Sequence, residues 1–279
     1  MHRDAQAFRH LRFPLTFNLY PLALFMNQVQ IIATVTIREI VGKRLFLVVF
    51  AGIMLLLVAG VLVAPLNIGE SHKLFYDFGF AFLAFFLLLF VLLEGGRQMG
   101  GSRENGGFYW LLAKPVARWQ VIIGIFAGLA LLAAVCLLLL GGFFLLVLAM
   151  AGLPVTMSLF IPLVFLYLKY LLLLGLVILL GTGFSLFSTI FFSLGLFIVG
   201  HGTAMLLAVA AEAGPFTRLP ALILYHLLPD FSAFHLASAG LHQQLPSAAV
   251  LAKLAVYGLG YLGILLLLSC WRFSQVDLD

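Results

Sequence analysis

Residues 121–150 read VIIGIFAGLALLAAVCLLLLGGFFLLVLAM, and not one side chain in that run is charged. About 20 apolar residues suffice for a helix to cross the hydrocarbon layer of a bilayer. This run is longer than one crossing needs, so part of it tilts or projects into water. Runs of the same kind recur along the chain. Of its 279 residues, 64% are hydrophobic and 9% charged, against about 25% charged in a soluble domain. So few charges cannot cover a water-facing surface, and the solvent of this chain is largely lipid. The reading is an all-α polytopic membrane protein.

The apolar runs give six expected transmembrane helices, at residues 45–66, 78–93, 121–150, 159–180, 189–211 and 248–270. Before them, residues 27–44 have a helical period. Val29, Ala33, Ile37, Ile40 and Val41 share one face, and Arg38 lies on the other, as in an amphipathic helix on a membrane surface. The stretch ahead of it, broken by Pro14 and Pro21, is too short to span. Gly152, Leu153 and Pro154 form a tight turn, and 181–188 is a second turn. Residues 212–247 are a polar outer loop whose LLPDF sequence reads as short helices capping the mouth. Cys136 and Cys270 lie in apolar runs without CxxC spacing and give neither a disulfide framework nor a zinc site. The basic N-terminal stretch is followed by no short apolar core with a cleavage motif, so no cleaved signal peptide is expected.

Six spans put both termini on one side. Most of the lysines and arginines fall there too, from Arg3 through Lys43 and Arg44, those between spans two and three, and Arg272. The bias toward positive charge makes that side cytoplasmic. The net charge of +5 therefore reflects topology rather than nucleic-acid binding. No GxxxxGK[ST] phosphate loop occurs, so the chain does not bind ATP in that way.

One basic, aromatic island interrupts the apolar sequence: GGSRENGGFYWLLAKPVARWQ, residues 100–120. Paired glycines at 100–101 and 106–107 read as flexible joints. Phe108, Tyr109, Trp110, Leu111 and Lys114 are compatible with a short interfacial helix stopped by Pro115. Tyr109 and Trp110 suit the headgroup level, and Trp119 anchors the next span. Arg103, Glu104, Lys114 and Arg118 present charge to the cytoplasm. A membrane-anchoring loop and a surface for a partner protein both fit this composition.

The second half of the island resembles the signature loop of ABC-2 type transporter permeases, which ends in LLSKPVSRWQ or close to it. Leu111, Leu112, Lys114, Pro115, Val116, Arg118, Trp119 and Gln120 match that ending, and Glu104 matches an acidic position. Gly107 stands where the family often has Thr, and Asn105 where it usually has a basic residue. TIREIVGKRLF before span one and LLPDFSAFHL before span six add to the likeness, which is nearest to the copper-enzyme-maturation branch. The resemblance implies a bacterial inner-membrane permease whose island is a coupling helix seated in a separate ATPase subunit. It implies two permeases and two ATPases, with ATP and magnesium held by the ATPases and no cofactor on this chain. Residues 27–44 would be the connector helix, with Arg38 and Glu39 on its cytoplasmic side. A periplasmic accessory protein fits the same picture.

Polar groups at membrane depth are candidate functional sites by their cost alone. His201 is expected near the middle of span five, either in an interhelical hydrogen bond or on a pathway. Lys169 lies within span four, either snorkelling to the outer interface or facing inward. Glu94 ends span two, placed to pair with Arg97. In the outer loop His226, Asp230, His235 and His242 form a weak metal-ligand candidate. His226 and Asp230 are four apart, but no dense set of Cys or Met accompanies them. The alternative to a permease is therefore a membrane-embedded enzyme or an electron- or metal-handling subunit using His201 or the outer histidines. A GFSL sequence around Ser185 with His201 downstream also matches the pattern of an intramembrane protease, although the two differ in depth. Paired axial haem ligands are not seen. With no charged cavity in the spans, an amphipathic or lipid-like cargo is preferred, with a maturation factor, sulfur species, peptide or drug also open.

Overall fold

The computed structural model describes residues 20–41, 51–52, 55, 71–104, 116–150, 152–153, 156–202, 228–236 and 246–275. Every regular element among them is helical. They are α1 (Tyr20–Ile40), α2 (Ser71–Gly96), α3 (Arg118–Met150), α4 (Phe160–Gly181), α5 (Leu186–His201) and α6 (Ala248–Ser274), with short 3-10 turns at Met157–Leu159 and Ser232–Phe234.

Four helical stretches are long and apolar enough to cross a membrane: Tyr76–Glu104, Arg118–Met150, Phe160–Gly181 and Ala248–Ser274. They correspond to expected spans two, three, four and six, and each is longer than the sequence suggested or shifted by about a residue. Span one lies outside the described residues apart from Ala51, Gly52 and Leu55. Residues 203–211, the second half of expected span five, lie outside them as well. The helix α3 has 33 residues, or about 50 Å at 1.5 Å per residue. That exceeds a hydrocarbon layer of roughly 30 Å, as its sequence implied. Past the end of α3 at Met150, Gly152 has a φ of +70°, a left-handed geometry that glycine adopts without a Cβ clash.

The helix α2 does not stop near residue 93. It continues through a π-helical turn at Arg97–Gly101 and a last α-turn at Ser102–Glu104. Gly100 and Gly101 are therefore not loop joints but buried positions within the helix. Gly100 lies so close to α5 that an added Cβ would come 3.0 Å from the backbone of Ser185 and Leu186. A side chain there would push the two backbones apart by a few tenths of an ångström.

The helix α1 starts earlier than expected, with Pro21 in its first turn, where a missing N–H costs nothing. Its buried positions are Ile32, Thr36 and Ile40, flanked by the half-buried Val29, Ala33 and Ile37, while Val41 is exposed. This face packs on α3 rather than on lipid alone. The contact runs through Gly124 and Gly128, a G-x-x-x-G pair that lets two helix backbones approach closely. A Cβ on Gly128 would come 3.0 Å from the Ala33 carbonyl oxygen. The outward face is not wholly polar, since Ile31 and Val35 are exposed beside Gln30, Thr34 and Arg38.

Aromatic and aliphatic side chains fill the centre. Phe80 meets Phe144 edge-on at 5.8 Å, joining α2 to α3. Gly95 and Gly181 bring α2 and α4 together, against Val177 and Met99. By contrast, α6 buries one narrow stripe of Gly258, Leu262, Leu265, Ser269 and Phe273. Val256, Leu259, Ile264, Leu267 and Trp271 stay exposed.

Candidate functional site

Two places concentrate polar chemistry. The first is the end of the bundle where the island begins and ends. Residues 105–115 lie outside the described residues, and with them Phe108, Tyr109, Trp110, Leu111, Lys114 and Pro115. The two ends of the island are each held by an arginine. Arg103 donates from Nη1 to the Thr182 carbonyl at 2.7 Å. Arg118 donates from Nη1 to the carbonyls of Ser274, at 2.9 Å, and Phe273, at 3.3 Å. Thr182 follows the last turn of α4, and Phe273 and Ser274 close α6. The last carbonyls of a helix have no partner within it, and the negative end of the helix dipole favours a cation there. Each arginine thus fastens one border of the island to the end of another long helix.

Further contacts stiffen this end. Gln120 accepts from the Ala117 N–H through Oε1 at 2.9 Å, which is half of a capping box at the start of α3. Gln98 donates to Glu39 at 3.1 Å and ties α2 to α1. Glu94 is buried and pairs with Arg97 at 3.4 Å, as its position suggested. Arg38 and Glu104 are exposed. The Arg272 guanidinium lies 5.8 Å from the centre of the Phe184 ring. Sequence reasoning missed the carbonyl anchors because a backbone acceptor leaves no mark on residue identity.

The second place is at the opposite end, around residues 228–236. Phe231 donates its N–H to the Gly200 carbonyl at 3.0 Å, and Phe234 lies 6.5 Å from Phe165 and 6.2 Å from Tyr257. Gly258 faces Phe234 and Leu168. Gly258 is ten residues into α6, which places this strap about 15 Å below the start of that helix. Non-helical backbone at such depth is tolerated where protein buries it, and Leu228, Phe231, Phe234 and Leu236 are all buried. Residues 228–236 thus form a buried strap with a 3-10 turn at Ser232–Phe234, and the rest of the expected outer loop up to Leu245 lies outside the described residues.

His201 occupies the last turn of α5, with Gly202 as its C-cap, and not the middle of a continuous helix. Its Nδ1 is 2.9 Å from the Phe197 carbonyl, so that nitrogen carries the proton. The ring stacks on Phe231 at 5.8 Å and meets Phe197 edge-on at 4.3 Å. Lys169 is 4% exposed and points inward, with Nζ 5.6 Å from the centre of the same Phe197 ring. It does not snorkel to the surface. Desolvating an ammonium costs several kcal/mol, and a desolvated ring contact returns about 2 kcal/mol. Phe197 does not offset the burial.

In the outer metal candidate, one oxygen of Asp230 is already engaged. Asp230 accepts through Oδ1 from the Ser232 N–H at 3.0 Å, the Ser232 hydroxyl at 2.6 Å and the Ala233 N–H at 3.3 Å. Its carboxylate caps the 3-10 turn. His226 and His242 lie outside the described residues, and no group of three metal-capable side chains occurs among the described ones. His235 is exposed on the strap. The cover it does have, together with the charge of Lys169, holds its pKa below the ordinary histidine value, against the opposing pull of Asp77. Ser185 and His201 stand at opposite ends of α5, about 24 Å apart by helical rise, which excludes a serine–histidine pair. The Ser185 hydroxyl instead donates to that of Ser188 at 3.0 Å.

Compared with known proteins, the sequence matches no family model. No curated protein matches it either.

Proposed function

We propose that this chain is the permease subunit of an ATP-driven exporter of the ABC-2 type, moving cargo outward across a bacterial inner membrane with both of its termini cytoplasmic. The sequence of the island suggests the reading, and one structural observation supports it. The island is bracketed by Arg103 and Arg118, each bonded to a carbonyl at the end of another long helix. A displacement of the island would pull on α4 and α6 at once, and through Gln98 and Glu39 the motion reaches α1. A loop that served only as an anchor in the headgroups would not need rigid ties to two spans.

In this reading an ATPase subunit grips residues 105–115. ATP and magnesium are held there, two ATPases serve two copies of this chain, and the permease itself performs no chemistry. The reading is tested by purifying the protein from its native membrane with a mild detergent and identifying what accompanies it. An ATPase is expected with the wild type and not with Arg103→Ala/Glu104→Ala/Trp110→Ala. The melting temperature of that variant separates lost docking from lost folding. Absence of any ATPase from the gently solubilised wild type would overturn the reading.

A further inference from the structure

Lys169 is a buried cation on an apolar helix. It sits nine residues from the start of α4, and 4% of it is exposed. It has no hydrogen bond and no carboxylate partner among the described residues. The nearest acidic group on the strap, Asp230, already accepts three hydrogen bonds from the turn it caps. A buried amine without an acceptor either gives up its proton or takes an acceptor from outside the chain.

The surroundings indicate what that would be. Phe197 is shared, with Lys169 Nζ 5.6 Å from its ring centre and the His201 ring at 4.3 Å. His201 keeps Nδ1 on a backbone carbonyl, which leaves Nε2 as its second polar atom. Phe231 closes the cage at 4.9 Å from Phe197, and it belongs to the strap rather than to one of the long helices. One cation, one imidazole and two aromatic rings thus converge about halfway down the bundle, under a segment held to α5 by the hydrogen bond from Phe231 to Gly200.

We propose that Lys169, His201 and the strap form a binding site for the oxyanion headgroup, phosphate or carboxylate, of an amphipathic molecule whose apolar part lies against Phe197 and Phe231. Lys169 supplies the counter-charge and His201 a polar contact. The strap shields the pair from lipid. The site stands on binding alone and does not depend on an ATPase partner.

The test uses the purified full chain in nanodiscs of phosphatidylcholine, with dodecyl phosphate as the probe and the shift in melting temperature as the readout. Wild type and Lys169→Arg are expected to show a saturable rise. Lys169→Met is expected to bind at least tenfold more weakly, and uncharged dodecyl maltoside to give no saturable shift. Met keeps the length and apolar stem of the lysine, so the variant is expected to fold, and its melting temperature without probe checks this. Nanodiscs doped with phosphatidic acid separate two sources of the headgroup. Competition by that lipid assigns the site to a bilayer lipid, and binding without competition assigns it to an amphiphile from water. Equal binding by wild type and Lys169→Met would overturn the proposal. Inorganic phosphate binding as tightly as dodecyl phosphate would also overturn it, because the aromatic cage would then contribute nothing. So would a wild type that binds no probe.

Discussion

Arg103 and Arg118 place their guanidinium groups on carbonyls that helix ends leave unpaired, whereas Lys169 meets only a ring. The arginines were visible in the sequence as charged borders of an island, and their bonds were not. His235 reports on the lysine. Its cover and the charge of Lys169 both disfavour the imidazolium, so its NMR titration midpoint is expected below 6.5, and Lys169→Met is expected to raise it. The sign for stability follows. The fold accepts neutral His235, so this contribution is complete above about pH 6.5 and is lost as the pH falls through the lowered native value. A midpoint unmoved by Lys169→Met would mean that the lysine carries no charge.

Among the elements, the two G-x-x-x-G pairs decide how helices meet. Gly124 and Gly128 seat α1 on α3, and Gly96 and Gly100 seat the end of α2 on α5. Local reasoning took Gly100 and Gly101 for joints because glycine weakens a helix on its own. Close tertiary approach outweighs that preference, which no window of sequence reveals. Gly128→Leu forces a side chain against the Ala33 carbonyl and is expected to cost about 1–3 kcal/mol. The loss should appear as α1 detaching, read as faster trypsin cleavage after the exposed Arg38 while the remaining helices persist. Unchanged cleavage would show that α1 is held by other contacts.

For the molecule as a whole, the lipid-facing surface is explicit. The helix α6 buries a single stripe and exposes large apolar side chains on its other sides. Spin labels at Val256→Cys and Leu267→Cys in a bilayer are expected to relax with oxygen, which partitions into hydrocarbon, and not with a water-soluble nickel chelate. A label at Leu262→Cys should be shielded from both. Strong nickel relaxation at position 256 or 267 would place α6 in water and contradict a membrane-crossing role.

The sequence by itself determined the solvent and the class of fold. Burying so many apolar residues with so few charges leaves helices in lipid as the outcome, and spans three, four and six were legible to within a few residues. It also marked the island, Lys169 and His201 as places of chemistry, since polar groups stand out against an apolar run. Only the tertiary structure decided that α2 continues through a π-turn to Glu104, that His201 closes a helix, and that Asp230 caps a turn. It alone decided that Lys169 and His201 share one phenylalanine beneath a buried strap. The reason is physical: apolar periodicity is a local property of the chain, whereas backbone carbonyls, close glycine contacts and an uncompensated charge acquire meaning when distant segments meet.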